Sequence, residues 1–388
     1  MQSNAVVNAR SVDINLVLET GGGGSGRHVL DLHLQLRDLG WNPHLILSNR
    51  RFDSIFAEEV AQIPPDEVTY VNVRRSPHPS DLAAVGQIRR LLAKSSRRCI
   101  LHAHSTKAAI LASAIGNVAD GKVFTPHAYR GMDQTLSWAS GKVINTVESM
   151  LNRCFDKVIA VSPDEQQYIL DLGLNPERVC YIPNGVDRTQ LRKRIAAVPL
   201  QDRKSTESVL GFVGRFVYQK NVELFLDTMK TVRDRGVAVR AVIVGDGALR
   251  TQLMEQADRY GLTPLIDWRG DVPAIEELSK MDVFVHTSRY ESFPYTLLEI
   301  AAAEVPTISV ENSGSQAILG SLLPGAIVPE ATPEALATGI IQLLQDRNLR
   351  ESNIAALRAV SERFTLQNMV HETINIYEQV LTKSPSSR

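Results

Sequence analysis

The stretch RYESFPYTLLEIAAAEVPTISV, residues 289–310, decides the fold class. An apolar run of strand length, Asp282–His286 (DVFVH), precedes it, and another, Pro306–Val310 (PTISV), closes it. Between them Pro294 stands where proline suits the first turn of a helix, and Pro294–Ala303 reads as that helix. Strand, helix and strand in this order make a βαβ unit, whose two strands run parallel and are buried on both faces.

The same alternation extends outward. Upstream, Val209–Gly214 and Ala238–Val244 read as strands, with Asn221–Arg235 and Leu249–Tyr260 as helices. An earlier series contains the strands Asp13–Glu19, Pro43–Ser48, Arg98–Ala103, Lys122–Pro126 and Val158–Val161, with helices over about 28–39 and 80–94 and another starting at Pro163, which Ser162 caps. Arg188–Ser208 is polar, basic and without periodicity, and reads as a linker or a surface loop. The chain ends in helical patterns over 333–345 and 347–381, the latter broken near Phe364-Thr365. The expectation is two doubly wound α/β domains, with ligands at the carboxyl ends of their strands.

Composition bounds the function. The 388 residues include 42 Lys and Arg against 43 Asp and Glu, a net charge of −1, which excludes a partner held by bulk positive charge such as nucleic acid. The charge is uneven: residues 1–194 carry 23 basic and 19 acidic side chains, residues 195–388 carry 19 and 24. Three cysteines without paired spacing argue against a disulfide framework or a cysteine zinc site, and a reducing, cytosolic setting is expected. No run of 18 apolar residues suggests a membrane span, and MQSNAVVNARSVD lacks the apolar core of a signal peptide.

Several residues can carry chemistry. GGGGSG at 21–26 lies between a strand and a helix. Glycines let backbone approach a phosphate, and a helix N-terminus offers unpaired N–H groups. A flexible turn explains the same run. No Gly-Lys-Ser/Thr follows, which excludes a Walker A loop, and the second strand ends without the ribose-binding acid of a dinucleotide site. Arg215 and Lys220 follow a strand and can clamp a diphosphate, although two loop cations are more often a solvated surface. Glu291 and Glu299 flank a helix start and can accept sugar hydroxyls, or one of them can merely favour the helix N-terminus. His127 in TPHAYR is a candidate polar or acid–base group, and a lone histidine is usually structural. His102 and His104 form an H-x-H pair without a third metal ligand nearby in sequence, so they read as a polar lining. Gly245-Asp246-Gly247 is a tight turn that can approach a base. Val143, Ile144, Val147, Met150, Leu151, Cys154 and Phe155 form an apolar helical stripe, most simply a core face, with membrane contact as the minority reading.

Taken together and in this order, the motifs resemble the GT-B-fold retaining glycosyltransferases of glycosyltransferase family four. The resemblance runs from about Ile14 to Val380. Residues 289–310 resemble that family's E-x7-E segment, with Ile300 where alanine is usual. Supporting matches are the glycine loop with His28, TPHA at 125–128, IAVS at 159–162, IPNGVD at 182–187, GR…KN at 214–221 and VGDG at 244–247. One departure is Glu311–Gln316, where a Gly-Gly loop leading to a Glu is usual and Gln316 stands near the acid's place.

The resemblance implies two Rossmann-like domains facing a cleft: residues 1–190 with 367–388 for the acceptor, and 191–366 for a UDP- or GDP-linked sugar. It implies that Arg215 and Lys220 grip the donor diphosphate, Glu299 the ribose and Glu291 the donor sugar. Gly23, Gly24, Gly245, Phe293, Pro294 and Tyr295 join the donor side, His127 sits by the reacting sugar, and His104, Tyr129 and Arg130 lie toward the acceptor. Asn184 and Asp187 read as structural. No metal or other cofactor is expected. The acceptor is expected to be a saccharide or a lipid-linked saccharide in bacterial surface-polysaccharide or glycolipid assembly. The alternatives are a nucleotide-sugar epimerase, a phosphorylase, a non-catalytic sugar-binding module and, from GxGxxG alone, an NAD-dependent oxidoreductase. The basic first half, with Arg50-Arg51, Arg74-Arg75, Arg89-Arg90 and Arg97-Arg98, suggests peripheral contact with an anionic membrane at its cytoplasmic face.

Overall fold

Short apolar strands alternating with amphipathic helices build two parallel sheets. The computed structural model describes residues 9–382 apart from 49, 51, 75, 134–135 and 199–206, so Arg51 and Arg75 lie outside the described residues. The chain divides into two units, Met1–Pro183 with Gln367–Arg388, and Asn184–Leu366.

The first unit runs β1 (Val12–Leu18), α1 (Gly23–Asp38), β2 (Asn42–Ser48), α2 (Ser54–Val60), β3 (Val68–Val71), α3 (Ser80–Lys94), β4 (Arg98–Ala103), α4 (Thr106–Ala114), β5 (Gly121–Phe124), α5 (Trp138–Asn152), β6 (Lys157–Ala160), α6 (Pro163–Asp171) and β7 (Val179–Tyr181). Its strands lie in the order β3-β2-β1-β4-β5-β6-β7, all parallel. β3 and β7 are short edge strands that the sequence pattern did not distinguish from loops.

The second unit runs α7 (Arg188–Ala197), β8 (Ser208–Val213), α8 (Val222–Asp234), β9 (Val239–Val244), α9 (Arg250–Arg259), β10 (Ile266–Gly270), α10 (Ile275–Leu278), β11 (Val283–His286), α11 (Tyr295–Ala303), β12 (Thr307–Val310), α12 (Ser313–Leu319), β13 (Ile327–Val328), α13 (Pro333–Gln345) and α14 (Arg347–Arg363). Its strand order is β10-β9-β8-β11-β12-β13, again parallel throughout. The last helix, α15 (Leu366–Thr382), returns the chain to the first unit, where Tyr377 bonds His102 at 2.7 Å and the Leu381 carbonyl accepts from Arg98.

Each sheet has one reversal of strand order, between β1 and β4 in the first unit and between β8 and β11 in the second. Loops on either side of such a reversal diverge and leave a crevice at the carboxyl strand ends. The glycine run follows β1, and His104 follows β4. Gly214-Arg215 follows β8, and Glu291 lies beyond β11. The fold therefore puts the chemistry-bearing residues at both reversals.

Two expectations are corrected. Residues 188–197 are not a linker: Asp187 caps α7 through its Oδ1, which accepts from the Gln190 N–H at 2.9 Å. The stretch shows no apolar period because only Leu191 faces inward. The apolar stripe on α5 is not one core face either. Leu151 and Phe155 are buried, while Val143, Val147, Met150 and Cys154 are exposed.

Candidate active site

In the second unit the site begins with a close approach of two loops. The Gly214 N–H donates to the Val244 carbonyl at 3.0 Å and the Phe216 N–H to the Asp246 carbonyl at 2.8 Å. Gly245, at φ 131, lies against the Gly214 carbonyl, and a β-carbon there would collide with it. Packing between the loops thus accounts for glycine at 245. The Arg215 guanidinium is exposed and bonds none of the described residues. Further on, Asn221 adopts the left-handed conformation (φ 52) just before α8, which turns the chain sharply after Lys220.

Lys220 reaches Glu291. Its ammonium donates to Glu291 Oε1, and both side chains are close to buried, 14% and 11% exposed. Gln219 Nε2 donates to the Tyr290 carbonyl at 3.0 Å, and the Thr287 hydroxyl donates to the Lys220 carbonyl at 2.9 Å. Burial pushes the Glu291 carboxyl up, but the Lys220 charge, His286 and hydrogen bonds from Lys220 and Ser288 outweigh it and hold the group below the usual carboxylate range. His286 is buried and held neutral, its pKa lowered to about 4 chiefly by burial. Its Nδ1 pairs with the Ser309 hydroxyl at 2.9 Å.

The segment after Glu291 is fastened from two sides. Asn184 Nδ2 donates to the Phe293 carbonyl at 2.8 Å, and the Phe293 ring packs edge-on against Phe364 at 5.1 Å. Gly314, in the first turn of α12, lies where a β-carbon would meet Pro294 at 2.7 Å and the Glu291 side chain at 2.8 Å. Pro294 caps α11, and Phe293, Pro294 and Tyr295 are buried. Their rings are therefore packing groups, and only backbone is left to meet a ligand. Glu299 is half-buried within α11. Gln316 is exposed and donates to Glu311 at 3.0 Å.

In the first unit the glycine run is explained largely by α2. A β-carbon at Gly21 would collide with Phe52 and Phe56, one at Gly26 would meet Phe56 at 2.9 Å, and Gly23 has φ 61. Gly23 and Gly24 are exposed at the start of α1, but the Gly23 amide already donates to Asp53 Oδ2 at 3.2 Å. An incoming anion competes there with a resident carboxylate. Sequence reading missed Asp53, although Asp-Ser ahead of an apolar run is a cap signal.

Three histidines gather beyond β4 and β5. Possible ligand atoms of His28, from α1, His104 and His127 lie within 4.8 Å of one another, so His104 gains partners from other elements while His102 is not in the group. His104 Nδ1 and His127 Nε2 share a hydrogen bond at 3.1 Å. Burial, then mutual repulsion among the imidazoles, lowers His104 and His127 well below the ordinary histidine range, so both are neutral at pH 7. His104 is wholly buried and meets His127 rather than solvent; His102 is likewise buried, tied to Tyr377 and to Thr125 at 2.8 Å. His127 and Ala128 have positive φ, 61 and 145, a strained pair. Glu165, wholly buried, accepts from the Val161 amide at 2.7 Å and from the Ala128 amide, and so braces that turn. Burial, against those two amides, raises Glu165 to about 7.

Tyr129 is corrected as an acceptor contact. It is buried in the core, its hydroxyl donating to Asn152 at 2.6 Å. Arg130 is exposed, with its backbone N–H on Glu148 at 3.0 Å.

Two family models match the chain: "Glycosyltransferase Family 4" over residues 22–190 and "Glycosyl transferases group 1" over residues 197–359. The chain belongs to glycosyltransferase family 4. As a member it is a retaining, hexosyl-type glycosyltransferase that uses nucleotide-sugar donors. The oxidoreductase, epimerase, phosphorylase and non-catalytic readings are thereby set aside.

Family 4 relatives include an Escherichia coli UDP-Gal:alpha-D-GlcNAc-diphosphoundecaprenol alpha-1,3-galactosyltransferase, 24% identical over 74% of this chain and 76% of that protein. A human phosphatidylinositol N-acetylglucosaminyltransferase chain is 26% identical over 73% of this chain and 58% of its own length. The fold matches Anabaena HepE, solved with UDP and glucose, at a TM-score of 0.80 and 19% identity, over 95% of this chain and 99% of that one. It is the GT-B fold.

Proposed function

We propose that the chain transfers a hexose from a UDP-sugar to a saccharide carried on a lipid diphosphate, in the assembly of a surface polysaccharide or glycolipid. The observation that carries this reading is the array at the β8/β11 reversal: an exposed Arg215 whose side chain bonds none of the described residues, next to a Lys220–Glu291 pair. Arg215 and Lys220 take the diphosphate, whose negative charge grows as the sugar departs. Glu291, kept ionised, accepts hydroxyls of the donor sugar, and Glu299 those of the ribose. Loop amides near Phe293–Tyr295 add donors toward the same charge. In the first unit His127, neutral, is proposed as the catalytic histidine, held by its hydrogen bond with His104, and Arg130 as an acceptor contact. The two cations supply the charge stabilisation that a divalent ion would otherwise give, and the reaction is proposed to need no metal.

UDP is favoured over GDP by the relatives: the E. coli enzyme is named for UDP-Gal, and HepE was solved with UDP-glucose. The lipid-diphosphate acceptor rests on the E. coli name as well. A thermal-shift panel of UDP, GDP, ADP and NADH tests the donor. UDP should raise the unfolding midpoint most. Stabilisation by GDP alone would reassign the nucleotide, and no response to any nucleoside diphosphate would overturn the donor reading.

A further inference from the structure

Among the described residues of the first unit, α5 carries a row of exposed apolar side chains. Val143, Val147 and Met150 repeat at intervals of four and three, which at about 100° per residue is one helix stripe, and the exposed Cys154 follows just past the end of the helix. Val143 is 66% exposed, Val147 48% and Met150 62%. Beside it Lys142 and Thr146 are exposed on α5, and Arg153 is exposed at its C-cap. At the N-terminal end Trp138 is 76% exposed, with the Lys142 ammonium 4.0 Å from its ring centre. The acid of this helix, Glu148, points the other way and is buried, accepting from Arg130, Gly131 and Tyr168. The opposite arc, with Leu151 and Phe155, packs into the core.

The exposed side of α5 is thus apolar and basic and carries no acid. Nearby, Arg153 shares a pocket of about 330 Å³ with Asp171, whose carboxylate is engaged by Gln167 at 2.8 Å. The neighbouring helices continue the pattern. Ile110 is exposed on α4, which packs between α3 and α5, and α3 exposes Leu82 with Arg89, Arg90 and Lys94.

We propose that this helix face docks the first unit onto an anionic lipid surface. Apolar side chains flanked by lysine and arginine, with an aromatic ring at one end, suit the boundary between headgroups and acyl chains. A water-soluble protein partner of matching chemistry would need to be acidic and apolar at once, whereas an anionic bilayer provides both within a few ångströms. The face is distinct from the sugar site, and lipid binding is measured without sugar transfer, so failure of either leaves the other standing.

The test is cosedimentation of the full chain with vesicles of phosphatidylcholine alone and with 30% phosphatidylglycerol (roughly the anionic share of a charged membrane). Binding should appear with the anionic vesicles and weaken as salt is raised. Lys142→Glu with Arg153→Glu should lower affinity about 30-fold, a factor of about 5 per lost base, and Val147→Ser with Met150→Ser should lower it further. Brominated lipid should quench tryptophan emission in the wild type, and Trp138→Phe should remove that quenching, which keeps the test open should a double variant fold poorly. Absence of binding, equal binding to both vesicle types, unchanged binding by the double variants, quenching that survives Trp138→Phe, or a dimer that the serine variant splits would each overturn the proposal.

Discussion

The Lys220 ammonium is hydrogen-bonded to the Glu291 carboxylate, joining the turn before α8 to the loop after β11. Both side chains are mostly withdrawn from water. Removing one partner leaves the other as an uncompensated charge, which costs about 3–5 kcal/mol in a buried pair. Lys220→Met should therefore lower the unfolding temperature clearly and raise the Glu291 pKa. Lys220→Met with Glu291→Gln should recover part of the loss. Additive effects in this double-mutant cycle would mean that the pair is not coupled.

Arg215 makes a contrasting prediction because it is exposed and bonds none of the described residues. Arg215→Ala should leave thermal stability unchanged. A charge-assisted contact with a diphosphate is worth about 1.5–3 kcal/mol, so UDP affinity should fall roughly 10- to 150-fold by calorimetry. Lost stability with unchanged UDP binding would give Arg215 a structural role instead.

Asn184→Ala should act at a distance along the chain. It strips the Phe293 carbonyl of a buried hydrogen bond, a loss of about 1–3 kcal/mol. The segment from Glu291 to Tyr295 should loosen, which hydrogen exchange at the α11 N-terminus would report, and the KM for the donor should rise. Unaltered exchange there would contradict the fastening described.

The Glu165 and His286 environments predict opposite pH slopes. Glu165 has its folded pKa raised to about 7, so between about pH 4.5 and 7 the folded chain holds a proton that the unfolded chain has lost. Its contribution therefore falls as pH rises through that window. Glu165→Gln should gain stability relative to wild type from pH 5 to 8, by up to about 3 kcal/mol. His286, lowered to about 4, behaves conversely: below about pH 6.5 the unfolded chain takes the proton first, and stability falls on acidification. His286→Asn should flatten that acid limb. Unfolding midpoints measured from pH 4 to 8 check both signs.

Much of this was legible in residues 289–310 and the strands around them. Apolar runs of strand length mark β8, β9, β11 and β12 because those strands are buried on both faces. β3, β10 and β13 were not recognised, since edge strands are half-exposed and lack such runs. At the site, Arg215, Lys220 and Glu291 stood out by charge and position. Glu165 as a brace, the Phe293 partner of Asn184, and Asp53 against the glycine loop were hidden because hydrogen bonding across long separations leaves no local pattern. Burial also took Tyr129 into the core, although its residue type suits a ligand and a core contact equally well.

The most direct test of the account is transfer from UDP-hexose to a GlcNAc-diphosphate-lipid acceptor, with the anomeric configuration of the product read by NMR. An α-linked product with release of UDP, lost in Glu291→Gln and strongly weakened in Arg215→Ala, is the predicted result. A β-linked product, or transfer undiminished in both variants, would contradict it.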